Sequence, residues 1–117
     1  MKPLTPQGRK EKIAEAVAKV AGADIGAFCN IIETVEKKIM IVVENTGEEG
    51  NVAIRIQGDL TDDHISKIIP KVQEFGGDTL QLEIIAPVAK APDIVESIFQ
   101  SVLGTDNFDV EIELVVE

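Results

Sequence analysis

The sequence has no tryptophan and no tyrosine, and four phenylalanines are its whole aromatic complement. A core built from it must be packed by Ile, Val, Leu and Ala. Ile and Val are branched at Cβ, stiff at χ1 and suited to a pleated surface, which points to a substantial β component. The shortage of rings also argues against a single-strand nucleic-acid platform, which stacks successive bases on aromatic side chains. Cysteine is nearly absent as well, since Cys29 stands alone. That excludes an intramolecular disulfide and a cysteine-built zinc site. In its apolar stretch Cys29 is expected to behave as a small buried hydrophobe. No stretch reaches the roughly 20 apolar residues that a membrane span needs. A signal-peptide run and an Asn-X-Ser/Thr acceptor are also missing. Together these absences predict a cytoplasmic protein with no membrane partner.

Positive charge is the other shortage. Eleven Lys and Arg stand against 21 Asp and Glu, for a net charge of −10. A field of that sign favours solubility and repels phosphate backbones, so no nucleic-acid partner is expected. The one cluster of cations is Lys2, Arg9, Lys10 and Lys12, and it reads as a solvated first helical turn or a frayed arm. Neither a G-x-G-x-x-G nor a Walker A pattern occurs, so no phosphate-cradling loop is indicated. Ser66, Ser97 and Ser101 fall on expected helices with no G-x-S-x-G elbow around them. Cys29 and His64, the single histidine, would form a nucleophile and base only if the fold joined them, and nothing local does so.

What is present is a balanced globular composition, 44% hydrophobic and 27% charged over 117 residues. That length predicts a single domain, 1–117, with 1–6 as a flexible lead-in. Residues 7–21 are rich in Ala, Lys and Glu and predict a helix ended by Gly22. Its apolar face, Ile13, Val17 and Val20, is narrow enough to suit light packing or completion by a partner. Residues 24–37 fit helical spacing through Ile25, Phe28, Cys29, Ile32 and Val35. They also fit alternation, and β-branched density favours a strand from Ala27 that turns at Glu36 and Lys37. Residues 39–44 and 52–57 read as a hairpin around a Gly-containing loop.

Residues 61–75 carry a broad stripe of Ile65, Ile68, Ile69, Val72 and Phe75, with Thr61 as cap. Pro70 inside this helix predicts a bend or two shorter helices, with its ring on the exposed side. A strand is expected over 79–86 with Leu80, Leu82 and Ile84 facing inward. A helix opens at Pro92 and stops at Gly104, and a final alternating strand spans 108–116. The order of elements predicts an α+β two-layer sandwich. Its sheet would be mixed or antiparallel, with four to five strands and helices on one face, ferredoxin-like in general architecture.

Two groups of residues are candidates for function. Asp59, Asp62, Asp63 and His64 precede the central helix and bring oxygen ligands suited to a divalent cation, although Asp and Thr are also what a helix start requires. The acidic loop Glu44, Glu48 and Glu49 reads as a solvated hairpin tip. Alternation places Met40, Val42, Ile85 and Val115 on the outward face of the sheet, where they would leave apolar area exposed in a monomer. Either a second copy or the N-terminal helix would cover that face. Arg55 is the lone cation there, among Glu83, Glu111 and Glu113. The leading expectation is a non-enzymatic interaction or regulatory module that forms a homo-oligomer through its sheet face or edge. The alternative is a small-molecule or divalent-cation binding domain using the loop before the central helix. An enzyme ranks third, since nucleophile, base and electrophile are not all in view.

Overall fold

Thr5 and Pro6 start the first helix. The Thr5 hydroxyl accepts a hydrogen bond from the backbone N–H of Gly8 at 3.1 Å, and Pro6 supplies a preset φ where its missing N–H costs nothing. The computed structural model describes residues 5–35 and 38–116. Helix α1 (Pro6–Ala21) is followed by β1 (Phe28–Glu33), β2 (Ile39–Asn45), β3 (Asn51–Gly58), α2 (Asp62–Glu74), β4 (Glu83–Pro87), α3 (Ala91–Leu103) and β5 (Val110–Val115). Pro6 therefore belongs to the helix and not to the expected lead-in. The ambiguous segment is a strand, and the expected turn at Glu36 and Lys37 lies outside the described residues.

The five strands form one sheet in the order β4-β3-β2-β1-β5, with every neighbouring pair antiparallel. β1, β2 and β3 form a meander, and β4 returns beside β3 after α2. α3 then carries the chain to the opposite edge, where β5 pairs with β1 from Val110 opposite Glu33 to Val115 opposite Phe28. α1 packs on β1, β2 and β5, α3 packs on β3, and α3 also touches both other helices. The three helices thus make one layer on one side of the sheet, an α+β two-layer sandwich. α1 lies in that layer and does not cover the outward sheet face.

Between the layers the core is aliphatic. Cys29, Ile31, Ile39, Ile41, Val43, Val52, Ile54 and Ile84 from the sheet meet Ile13, Val17, Ile68, Val72, Val95 and Ile98 from the helices, all fully buried. α2 runs unbroken through Pro70, whose ring is exposed, so the helix is not split in two. α3 ends at Gly104 with φ 68°, a left-handed cap that glycine adopts without a Cβ clash.

The expected strand over 79–86 begins four residues late. The Asp78 carboxylate accepts from the N–H of Leu80 at 2.9 Å, and Asp78 and Glu83 exchange backbone bonds of 2.7 and 3.0 Å. The chain between them is a tight loop in which Leu82 has φ 50° and Leu80 is 96% exposed. Gly77 permits the close return, because a Cβ there would lie 2.3 Å from the Glu83 carbonyl oxygen. The Leu80, Leu82, Ile84 alternation resembles a strand, but only Ile84 is in the core.

The cations expected on a solvated first turn are taken up by the fold. Arg9 is fully buried, and Lys2 lies outside the described residues. The Arg9 Nε donates to both Glu96 carboxylate oxygens at 3.0 and 3.2 Å, and Nη1 donates to the Phe108 carbonyl at 2.9 Å. Its guanidinium carbon sits 3.9 Å from the centroid of the Phe108 ring, which is itself tilted against Phe99. Lys10 pairs with Asp93 at 3.3 Å, and Lys12 Nζ donates to the Val110 carbonyl at 3.0 Å. The narrow apolar face of α1 is completed within the chain by this buried charge.

Candidate functional site

The outward face of the sheet is left bare by the three helices, which pack on its other side. Strand register arranges it in three rows running across the strands. The first is Ile85, Ala53, Glu44, Phe28 and Val115; the second is Glu83, Arg55, Val42, Asn30 and Glu113; the third is Gln57, Met40, Ile32 and Glu111. Row one is apolar apart from Glu44, row three is half apolar through Met40 and Ile32, and the middle row is polar except at Val42. All four expected residues lie here. Met40 and Val42 are half-buried by their neighbours, whereas Ile85 and Val115, near the two edges, are 48% and 44% exposed. Phe28 and Ile32 share the face and were not among the expected residues; Ala53 lies there too, in the alternation of β3, and is almost fully covered. The signal for Phe28 and Ile32 was their alternation with Cys29 and Ile31, which became readable once residues 28–33 were known to be a strand.

The middle row is internally bonded. Arg55 Nε donates to Glu83 Oε2 at 2.7 Å, its Nη2 lies 3.6 Å from Glu44, and Asn30 Nδ2 donates to Glu113 at 3.4 Å. A single cation held by two carboxylates is not free to capture an anion, so the row acts as a cross-strand brace of modest strength. A shallow depression lies beside it, lined by Phe28, Asn30, Met40, Val42, Glu44 and Gln57.

The loop before α2 is organised as a helix start. Thr61 Oγ accepts from the His64 N–H at 3.2 Å, and the Thr61 N–H donates to His64 Nδ1 at 3.4 Å, a reciprocal capping box. Asp63 pairs with Lys67 at 3.1 Å one turn on, and Asp62 and Asp63 lie at the positive end of the helix dipole. Asp59, Asp62, Asp63 and His64 are neighbours in sequence, yet among the described residues no three His, Cys, Asp or Glu side chains gather to hold a metal ion.

Cys29 does not have the environment of a nucleophile. It is fully buried on the core side of β1, and burial pushes its thiol up to about 11 against the smaller, opposite effect of a backbone hydrogen bond at Val43. A reactive thiol needs the reverse shift and solvent access. The hydroxyls of Ser66 and Ser101 donate to the carbonyls of Asp63 and Ser97 in their own helices. At the hairpin tip, Asn45 ties two ends together. Its Nδ2 donates to the carbonyls of Val20 and Ala23 at 3.1 and 2.7 Å, and its Oδ1 accepts from Gly47 N–H at 2.8 Å. The acidic tip beside it is a pinned turn. Among the described residues no helix is long and apolar enough to cross a membrane.

No protein-family model, curated protein or solved structure matches this chain.

Proposed function

We propose that the protein is a non-enzymatic, cytosolic interaction module that self-associates through the open face of its sheet. The observation that carries this reading is the apolar first row, with Val42, Met40 and Ile32 beside it, on a face from which all three helices are absent. Exposed apolar surface bordered by charge often marks an association site, and a two-fold homodimer is the commonest way to cover it.

The row pattern supports a second copy as the occupant. Two such sheets packed face to face keep their strands within about 30° of each other. An axis along β2 would lay β5 of one copy over β4 of the other and β1 over β3. Phe28 would then lie over the second copy's Ala53, which its own neighbours already cover, Ile85 would meet Val115, and Met40, Val42 and Glu44 would each meet their own counterparts. The charges oppose this contact, because each copy is strongly acidic, so screening should promote it.

Molar mass by sedimentation equilibrium tests the proposal. A concentration-dependent dimer is expected, strengthened by added NaCl and abolished by Val42→Lys with the thermal transition retained. A wild-type protein that stays monomeric across concentration and salt would end the proposal.

A further inference from the structure

β5 is an edge strand, and its free side is prepared unevenly. Thr34 N–H donates to the Asp109 carbonyl at 3.0 Å, which fixes the phase of the β1–β5 ladder. In an antiparallel ladder the backbone groups of alternate residues point to the same side. Those of Asp109, Glu111, Glu113 and Val115 therefore point to β1, and those of Val110, Ile112 and Leu114 point away from the sheet. The start of this edge is closed. Val110 N–H donates to the Asp109 carboxylate at 2.9 Å, and Val110 C=O accepts from Lys12 Nζ at 3.0 Å. Beyond it, Ile112 and Leu114 present N–H and C=O groups that no group among the described residues takes up.

The surroundings of that open stretch carry opposite charges on its two sides. On the helix side a groove runs between α1 and β5, with Ala16, Ile112 and Leu114 as its apolar floor and Lys12, Glu15 and Lys19 along its wall. Leu114 is 40% exposed there. On the outward side stand Glu111 and Glu113, both exposed. A strand added antiparallel to β5 would send one set of side chains into the apolar groove and the alternate set beside the two glutamates. A second copy's β5 fits this badly, since it would place Glu111 and Glu113 against themselves, and like charges on adjacent strands discourage pairing.

The geometry points to β-strand addition at Ile112 and Leu114 by an extended segment of another protein in which Lys or Arg alternates with aliphatic residues. Main-chain bonds to the two open residues supply the attachment. The aliphatic residues fill the groove, and the cations face Glu111 and Glu113. This surface shares Glu111 and Glu113 with the open sheet face, but its main-chain bonds lie on the free side of β5 and do not depend on self-association through that face.

The pairing phase makes the test specific. Residues that exchange hydrogen bonds across an antiparallel pair lie directly opposite each other and share a face. The aliphatic residues of the incoming segment are therefore the ones whose N–H groups reach β5. The probe is a capped peptide of alternating Lys and Val, titrated into the 15N-labelled full chain, with two isomers that are N-methylated either at every Val or at every Lys. All three share the same charge. The parent and the Lys-methylated peptide are expected to bind, shifting the amide signals of residues 110–115 and protecting Ile112 and Leu114 from exchange. The Val-methylated peptide is expected to bind about tenfold more weakly, through the loss of two or more main-chain bonds. Leu114→Pro, which removes an N–H that β1 does not use, should weaken the parent peptide to a similar degree. Equal binding of both methylated isomers would reduce the effect to charge attraction and overturn the proposal. So would shifts centred on Phe28 and Met40, or no binding of the parent peptide. A drop in the molar mass of Leu114→Pro alone would assign the edge to a second copy instead.

Discussion

Removing Arg9 should unfold more of this protein than any other single surface-type substitution, because Arg9 is not at the surface. Its guanidinium holds the Glu96 carboxylate, the Phe108 carbonyl and the face of the Phe108 ring, with Arg9 at 0% and Glu96 at 1% exposure. Arg9→Met keeps most of the stem volume and deletes the charge, leaving a buried carboxylate whose Oε1 still accepts from Gln100 Nε2 at 3.2 Å but which has lost the guanidinium. Breaking a buried pair from one side costs about 3–5 kcal/mol, a large share of the roughly 5–15 kcal/mol that stabilises a small domain. At about 3–6 °C per kcal/mol for a chain of this length, the melting temperature should fall by about 10–25 °C. Glu96→Leu should cost a similar amount by leaving the cation unpaired. The double variant replaces the pair with apolar volume, which is often neutral, and loses chiefly the bond to the Phe108 carbonyl, about 1 kcal/mol. It should therefore be more stable than either single variant. Denaturant unfolding of all four proteins checks this, and additive losses in the double variant would show that the two charges are not energetically joined.

Cys29 gives a pH dependence. Its thiol titrates near 11 in the fold and near 9.0 when free, so the unfolded chain gives up the proton first and stability is lost as pH rises from 9 towards 11. The stability difference between wild type and Cys29→Val should shift against wild type by about 2–3 kcal/mol over that range; a constant difference would mean that the folded thiol ionises like a free one. Truncation after Asn107 removes the buried Phe108 and Val110 and the whole ladder with β1, so calorimetry should find no cooperative transition. A truncated chain melting within a few degrees of wild type would make β5 an appended tail.

Most of the fold was legible where a side-chain period met an unbroken segment. β2 alternates cleanly between buried and half-buried residues, β3 does so apart from the covered Ala53, and the outward set at Met40 and Val42 followed directly. Leu80 and Leu82 have the same period, but the Asp78 carboxylate turns the backbone before a strand can form, and a carboxylate bonding its own loop leaves no mark in an apolar pattern. Buried charge was the other blind spot. Arg9 stands four residues before Ile13 on the stripe that continues through Ala16, Val17 and Val20. Glu33 follows Cys29 and Ile31 at the alternate spacing, and Glu96 sits between Val95 and Ile98 on the packed side of α3. Each holds the apolar phase of its own element, so phase carried a signal that residue type obscured. Strand order was not legible, because nothing local to β4 or β5 states that they lie at opposite edges.

The bonds from α1 to the last part of the chain have a consequence for biosynthesis. Arg9 precedes Glu96 by 87 residues and Phe108 by 99, and Lys12 precedes Val110 by 98. At ribosomal rates of about 5–20 residues per second, the first helix waits about 4–20 s for its buried partners. Until then Arg9 remains hydrated and β1 keeps one side unpaired, so the meander is formed but not sealed. A chain cut short between α3 and β5 would leave β1 with one edge unpaired, the kind of edge that recruits other chains. Synthesis speed through the segment joining α3 to β5 is therefore a determinant of how much of this protein reaches its native state.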